Sequence, residues 1–587
     1  MKAAQPLYFG PKAQPLFGWL HGVEPQHQPA LGLVICSPFG FEEECAHKSL
    51  RHLAIDAAAG GIPTLRFDYA TCGNSAGDEF GPGTFQVWLD SVAAAINTLK
   101  LHAGVSQVCV AGLRLGATLG ALASSQRSDV AGLVAIAPVV QGRVYVRELK
   151  VLSMTGFQSS TPEPIEDLLQ ASGYLLTKET REAVAAVDLR KEQKAPAPKV
   201  LIIERDDMNP APEWAQALQA MGVQVEQASL PGYQAMMSDP QNTMVPEQIN
   251  AKVVEYVGRL ASGMPHQNAA DHVAAEIESH CILVGEDQLD VRETALTVPA
   301  DNGGLFAILS SPEAPLGLTS NAPAIVLISS GTLHNIGPGR MWPMLARQWA
   351  ARGANVLRVD LPGIGESTAL VELGDNRVYS ERYLESLEQL LRFMRQRYPN
   401  TPCHLVGLCS GATHGFKAAV QGQDWDKYVL INPLTFDYEE ANAANSGMTD
   451  YEVEGAASKY KRLLFSVEPW KKLVSGQLNL RFILNVLSRY ATRALGRAFG
   501  KLLESKNSAS PLEVELQQVL RNRSNAEFVF CEKAPGEPYL HEHGGQTLTA
   551  LLERHQMGIA RVSDSDHTFT LLNGRNRLVE WLDTVVC

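Results

Sequence analysis

Gly407-Leu408-Cys409-Ser410-Gly411 follows directly on the apolar run Cys403-His404-Leu405-Val406. An apolar strand, a turn bracketed by glycines and a following helix make the G-x-nucleophile-x-G signature of a nucleophile elbow. The nucleophile position holds Cys409 rather than serine. Both glycines are needed because the strained turn brings two backbone segments close together, where a Cβ would collide. Such a turn lifts one side chain out of the sheet and leaves the next backbone N–H, that of Ser410, free to bind an oxyanion.

Working outward, the order of patterns around this stretch occurs twice. In the second half the sequence predicts a strand over 324–330, a loop over 331–340, a helix over 341–352 and a strand over 355–360. A turn at 361–367 and a helix over 380–397 lead to the elbow. In the first half, strands over 31–37, 64–69 and 107–111 alternate with helices over 46–59 and 85–101. They lead to the turn Gly112-Leu113-Arg114-Leu115-Gly116. Late strands over 200–204 and 527–531 close each half. Strands alternating with helices predict an α/β fold with a mostly parallel sheet of about eight strands in each half. Ligands on such sheets sit at the carboxyl ends of the strands, where these loops fall. The loop-like GMPHQNAADH places the boundary near 263–285, giving units 1–265 and 266–587. Insertions over about 141–196 and 437–524 read as helical caps. The second is basic, with 11 Lys or Arg against 2 Asp or Glu between Ser458 and Lys506.

Bulk properties bound the function classes. A chain of 587 residues is too long for one core. No apolar run of about 20 residues suggests a membrane span, and MKAAQPLYFGPK lacks the apolar stretch of a secretory signal. Nine scattered cysteines suit a reducing cytoplasm, and no CxxC pair suggests zinc. A net charge of −13 argues against general nucleic-acid binding. Nothing in the sequence indicates a metal, nucleotide or redox cofactor.

The first half lacks the means for the same chemistry. Its elbow carries Arg114, which is no nucleophile at physiological pH, and no histidine occurs between Asp207 and Pro265. The nearest equivalent is Pro231-Gly232-Tyr233. The reading is a half that keeps the fold and has lost hydrolysis. Arg114 either binds a carboxylate or phosphate or makes a salt bridge with Asp206 or Asp207.

These motifs resemble the α/β-hydrolase superfamily, in two tandem copies covering nearly the whole chain. CSPFGFEEE and LRFDYATCGNSAGD in the first half, and GTLHNIGPGRMW, LRVDLPGIGES, GLCSGA and SDHTFT in the second, are similar to hydrolase-like proteins found beside exosortase and exopolysaccharide genes in bacteria. The resemblance implies a nucleophile, an acid and a late histidine in that chain order. Cys409 matches the nucleophile and His567 the histidine. The acid expected after the late strand aligns with Ala534; Glu532 and Glu537 flank that place, and Asp437 is another option. The Ser410 N–H, with that of Thr332 or Leu333, would form the oxyanion hole. Arg340 either clamps an anionic group or pins its loop, and His334 reads as structural or substrate-binding rather than as a base.

The superfamily's polyester synthases and dienelactone hydrolases use cysteine at this elbow. The resemblance therefore implies acyl transfer through an acyl-Cys409 intermediate, by an ester or thioester hydrolase or an acyltransferase. The setting implied is bacterial cytoplasm and the making of a polysaccharide or secondary product. The basic insertion suits an acidic donor such as an acyl-carrier protein or coenzyme A. The competing reading is a non-catalytic ligand-binding or scaffold protein. A third, carbon–carbon or hydration chemistry, needs no acyl-enzyme. The acyl group, the acceptor and the oligomeric state are not written in the sequence.

Overall fold

The computed structural model describes residues 4–22, 31–155, 167–206, 212–264, 276–285, 289–300, 303–313, 322–439 and 509–586. Most of the second insertion, with its basic run, lies outside the described residues, as does Asp207. The strands are, in chain order, β1 (Gln5–Phe9), β2 (Leu16–His21), β3 (Leu31–Cys36), β4 (Thr64–Phe67), β5 (Gln107–Leu113), β6 (Val130–Ile136), β7 (Leu168–Ala171), β8 (Tyr174–Thr177), β9 (Lys199–Glu204) and β10 (Gln224–Ser229). They continue as β11 (His280–Leu283), β12 (Val291–Val298), β13 (Leu305–Pro312), β14 (Ala324–Ile328), β15 (Asn355–Val359), β16 (Cys403–Leu408), β17 (Lys427–Ile431), β18 (Ala526–Cys531) and β19 (Met557–Val562).

Two large sheets result. The first has eight strands in the order β1-β2-β4-β3-β5-β6-β9-β10, and the second nine in the order β11-β12-β13-β15-β14-β16-β17-β18-β19. With the edge strand β11 set aside, the two orders are the same. Each begins with antiparallel pairs and runs parallel from β4 or β15 onward. The central strands β3 and β14 are buried from end to end, as a sheet covered on both faces requires. Alternation decides which residue meets which face. Leu31, Leu33 and Ile35 of β3 join the core under the helices Phe41–Ala59 and Glu247–Ser262. Val34 and Cys36 join the core under Thr84–Ala103.

Two details depart from the sequence reading. The insertion over 141–196 is not wholly helical: between the helices Gly142–Thr155 and Lys178–Ala186 lies the β7–β8 hairpin. Its turn, Ser172-Gly173, has φ of 49° and 89°, the double positive-φ turn that matches strand twist. The first-half helix begins at Phe41 rather than Ala46, with Glu42, Glu43 and Glu44 in its first turn, where carboxylates meet the positive end of the helix dipole.

The two halves interlock. Tyr8 and Phe17 share an apolar cluster with Cys281, Ala295, Phe306 and Ile308. Around it the buried polar bonds run in reciprocal pairs. Arg66 on β4 donates to both oxygens of Glu366, at 3.0 and 2.8 Å. Arg358 on β15 donates to Asn74 at 2.6 Å and to Glu293 at 3.0 Å. Asn74 and Glu366 hold equivalent places: the N–H of Asn74 bonds Asp68, and that of Glu366 bonds Asp360. Among the described residues no helix is long and apolar enough to cross a membrane.

Candidate active site at the second elbow

Cys409 sits between β16 and the helix Ser410–Gln421, with φ 54° and ψ −110°. A residue with a Cβ holds this conformation only where its surroundings over-determine it. Here the Cys409 N–H bonds the Ile431 carbonyl at 2.8 Å. Thr413 Oγ1 ties the Cys409 carbonyl to that of Thr435. A Cβ on Gly407 would strike the Gly411 carbonyl, and one on Gly411 would lie 2.8 Å from two carbonyl oxygens, those of Ile328 and Ser329. The glycine requirement read from the sequence thus has a specific steric cause.

The thiol is 8% exposed. Burial pushes it up to about 12, against the pull of the Ser410 N–H that points at it. At neutral pH it is a thiol, not a thiolate. No side chain among the described residues is hydrogen-bonded to it. The Ser410 hydroxyl is occupied elsewhere, accepting from the Gly331 N–H at 2.8 Å.

His567 reaches the same end of the sheet through its backbone. Asn432, fully buried just after β17, donates from Nδ2 to the His567 carbonyl at 2.7 Å and accepts from the Cys531 N–H at 2.8 Å. One amide therefore ties the strand next to the elbow, the late strand and the histidine loop. His567 is half-buried with both ring nitrogens shielded from solvent, which depresses it to about 4, and neither nitrogen has a hydrogen-bond partner among the described residues.

The candidate acids do not hold that ring. The Glu537 carboxylate, 7% exposed, accepts from Arg561 Nε at 2.7 Å, and Arg561 Nη2 lies equally close. Its burial is explained by that pair. Glu532 is exposed. Asp437 accepts the Glu439 N–H at 2.6 Å, a local turn. Of the expected oxyanion donors, the Leu333 N–H is spent on the Ser330 carbonyl at 3.0 Å. The Thr332 hydroxyl is buried without a partner among the described residues, and Thr332 borders a small cavity between the halves with His47, Asp375 and Asn376.

Three residues for which the sequence reading left a binding and a structural role open make structural contacts. Arg340, 4% exposed, donates to the carbonyls of Gly73, at 2.9 Å, and Ser75, both in the first half. It pins its loop to the other half and has no free face for an anion. Burial, and Arg347 beside it, lower it to about 10. His334 is also buried between the halves, its ring stacked on His47 at 4.2 Å. Arg114 has the elbow geometry, φ 53° and ψ −122°, but its guanidinium is bonded to Glu42 at 2.7 Å and to Glu148, and lies over the Tyr145 ring. Of the two partners expected from the sequence, Asp206 accepts the Gly232 N–H instead, and Asp207 lies outside the described residues. Arg114 borders a cavity of about 220 Å³ with Val140, Val144, Ile202 and Trp214.

Residues near Cys409 that the sequence did not flag are Asn432, His414, Tyr379 and Tyr438. His414 Nε2 lies 3.1 Å from the Val378 carbonyl, an acceptor only, so Nε2 carries the proton. Nδ1 then accepts from the Tyr438 hydroxyl at 2.8 Å. Burial lowers His414 to about 4, so it is neutral. Burial also raises Tyr379, and ionisation of Cys409 would raise it further, so that phenol lies within reach of the thiol's field. Only the Asn432-Pro433 dipeptide carried a local turn signal for any of them.

A family profile described as "Serine aminopeptidase, S33" matches residues 320–466, a segment that contains the elbow and ends before His567. None of the curated proteins matches the sequence. Among solved structures, Est1E from Butyrivibrio proteoclasticus is 18% identical with a TM-score of 0.33, over 44% of this chain and 100% of that one. A proline iminopeptidase from Mycobacterium smegmatis is 15% identical with a TM-score of 0.30, over 44% and 99%. The Pyrococcus furiosus esterase Pf2001 is 14% identical with a TM-score of 0.30, over 44% and 92%. The chain is thus an α/β protein with mostly parallel sheets whose residues 320–466 are similar to a hydrolase family.

Proposed function

We propose that the chain is an acyl-transfer enzyme, an ester or thioester hydrolase or an acyltransferase, working through an acyl-Cys409 intermediate. It would consist of two α/β-hydrolase copies of which only the second reacts. The observation that carries this reading is the state of the elbow thiol. It stands at the tip of the turn with the Ser410 N–H directed at it and no side-chain bond among the described residues. The same position in the first half is locked between two carboxylates.

The proton positions constrain the mechanism. Burial raises the thiol and lowers the imidazole, so moving the proton from one to the other is uphill in the resting site. Both groups therefore rest neutral in this arrangement. Attack on the acyl carbon has to be concerted with proton transfer to His567, which returns the proton to the leaving group. A thioester donor fits, since its thiolate leaves as readily as Cys409. The basic stretch 458–506 suits an acidic carrier such as an acyl-carrier protein or coenzyme A.

The test is intact-protein mass after exposure to acyl thioesters and activated esters, with wild type, Cys409→Ala and His567→Ala side by side. An adduct on wild type, absent from Cys409→Ala and formed at least ~100-fold more slowly on His567→Ala, is the expected result. A second reading, a non-catalytic binding or scaffold protein, is favoured by one observation: Glu537 is committed to Arg561 while the His567 ring has no partner among the described residues. Failure of every donor to label wild type would overturn the acyl-enzyme reading and favour the second.

A further inference from the structure

A second small cavity between the halves, separate from the one that Thr332 borders, contains a donor set that the elbow chemistry does not use. Glu43 and His47 lie one turn apart on the helix Phe41–Ala59, so they share a face. His334 comes from the loop after β14, in the other half. One ligand atom from each of the three lies within 4.8 Å of the others. His47 Nδ1 is 2.9 Å from one Glu43 oxygen, and His334 Nε2 is 3.8 Å from the second. His334 is only 5% exposed, and its Nε2 has no hydrogen-bond partner among the described residues. A buried imidazole nitrogen left in that state is costly unless something occupies it.

We propose that Glu43, His47 and His334 bind one transition-metal ion of the Zn²⁺ class, clamping the two halves together. Two imidazoles and a carboxylate suit Zn²⁺, Co²⁺ or Fe²⁺; Ca²⁺ and Mg²⁺ prefer all-oxygen sets. The outer shell is already built. The other nitrogen of His47, Nε2, lies 3.0 Å from Glu366, which Arg66 holds through both its oxygens. A carboxylate on the far nitrogen is what orients a metal-ligating histidine. With the ion on Nδ1, the ring keeps its Nε2 proton for Glu366 and the Nδ1 proton leaves to solvent.

The cavity fixes the role. Glu43, His47, His334, Asp68, Asn335 and Glu366 border a space of about 20 Å³, room for an ion or a single water and not for a substrate. The site is structural. The imidazole stack, 4.2 Å with 19° between the planes, does not itself aim both lone pairs at one point. Ligation turns one ring out of the stack about χ2, a torsion with a broad well. The set is not legible in the sequence, because its two parts lie about 290 positions apart and no short motif joins them.

The experiment is calorimetric titration of chelator-treated, full-length protein with ZnCl₂ alone at pH 7.5, with CoCl₂ in parallel for its visible spectrum. The expected result is one equivalent per chain with Kd roughly micromolar or tighter and a unfolding midpoint that rises with added zinc. Glu43→Gln and His334→Gln should each weaken uptake ~100-fold, while Cys409→Ala leaves it unchanged. Wild type that takes up no stoichiometric ion overturns the proposal. So does a folded His334→Gln chain that binds as tightly as wild type. Glu43→Gln, nearly isosteric, decides the matter if His334→Gln does not fold. None of these outcomes depends on whether Cys409 is acylated.

Discussion

Arg114 and Cys409 occupy the same place in the two sheets, and their backbones are nearly superimposable: φ 53°, ψ −122° against φ 54°, ψ −110°. Both N–H groups bond the last carbonyl of the neighbouring strand, at 3.0 and 2.8 Å. Both carbonyls accept from a threonine four residues on, Thr118 or Thr413. What differs is the surroundings of the side chain. Arg114 is neutralised by Glu42 and Glu148; Cys409 is an uncharged thiol with Tyr379 nearby. The elbow is therefore a property of the fold, kept by glycine packing and backbone bonds whether or not chemistry is done there. Strain at such a turn is no proof of catalysis; the argument has to come from what the side chain can do.

The largest expected effect breaks both turns alike. A Cβ on Gly116 would run into the carbonyls of Cys36 and Ser37, backbone atoms that cannot swing aside. Gly116→Ala and Gly411→Ala should each cost about 3 kcal/mol or more in denaturant unfolding. If either is tolerated, the two elbows are not held by the same contacts.

Acid separates them next. His567 and His414, each near 4 in the folded chain and near 6.5 unfolded, are buried neutral. A histidine depressed on folding contributes stability above its unfolded value, and that is lost as pH falls from 6.5 to 4. Each is worth ~3 kcal/mol across that window. Stability measured against pH should flatten by that amount in His567→Gln. A wild-type curve level from pH 7 to 4 would contradict the burial of these rings.

A smaller effect tests the first elbow. Arg114→Met leaves Glu42 and Glu148 without their cation and should cost about 2 kcal/mol at pH 7. Arg114→Cys, despite its thiol, should take no acyl group, because no histidine follows in that half; labelling there would erase the distinction drawn above. The smallest effect concerns the acid. Arg561 is 68% exposed, so losing its pairing in Glu537→Gln should leave the unfolding midpoint almost unchanged. The rate of acyl labelling should not move; a tenfold fall would make Glu537 the acid that orients His567.

The parts legible in sequence were those written locally. The elbow, the alternation of apolar strands with helices and the absence of a late histidine in the first half all lie within short windows, and both sheets followed. The Ser172-Gly173 hairpin was also local, but its short strands lie inside a stretch whose neighbours are helical. What could not be read was long-range partnership. Nothing near Arg340 says that its guanidinium meets carbonyls some 265 positions earlier, and Glu537 looked like an acid because Arg561 was not yet beside it.

The reciprocal arginines bear on how the chain is made. Arg66 is buried against Glu366, a partner 300 positions later. At roughly 5–20 residues per second, a ribosome delivers that partner about 15–60 s after Arg66. Through that interval the nascent first half has a guanidinium it cannot bury, along with the apolar face of Phe17 and Tyr8. Its final docking has to await the second half, so synthesis rate and chaperone access, as well as sequence, govern the yield of assembled protein.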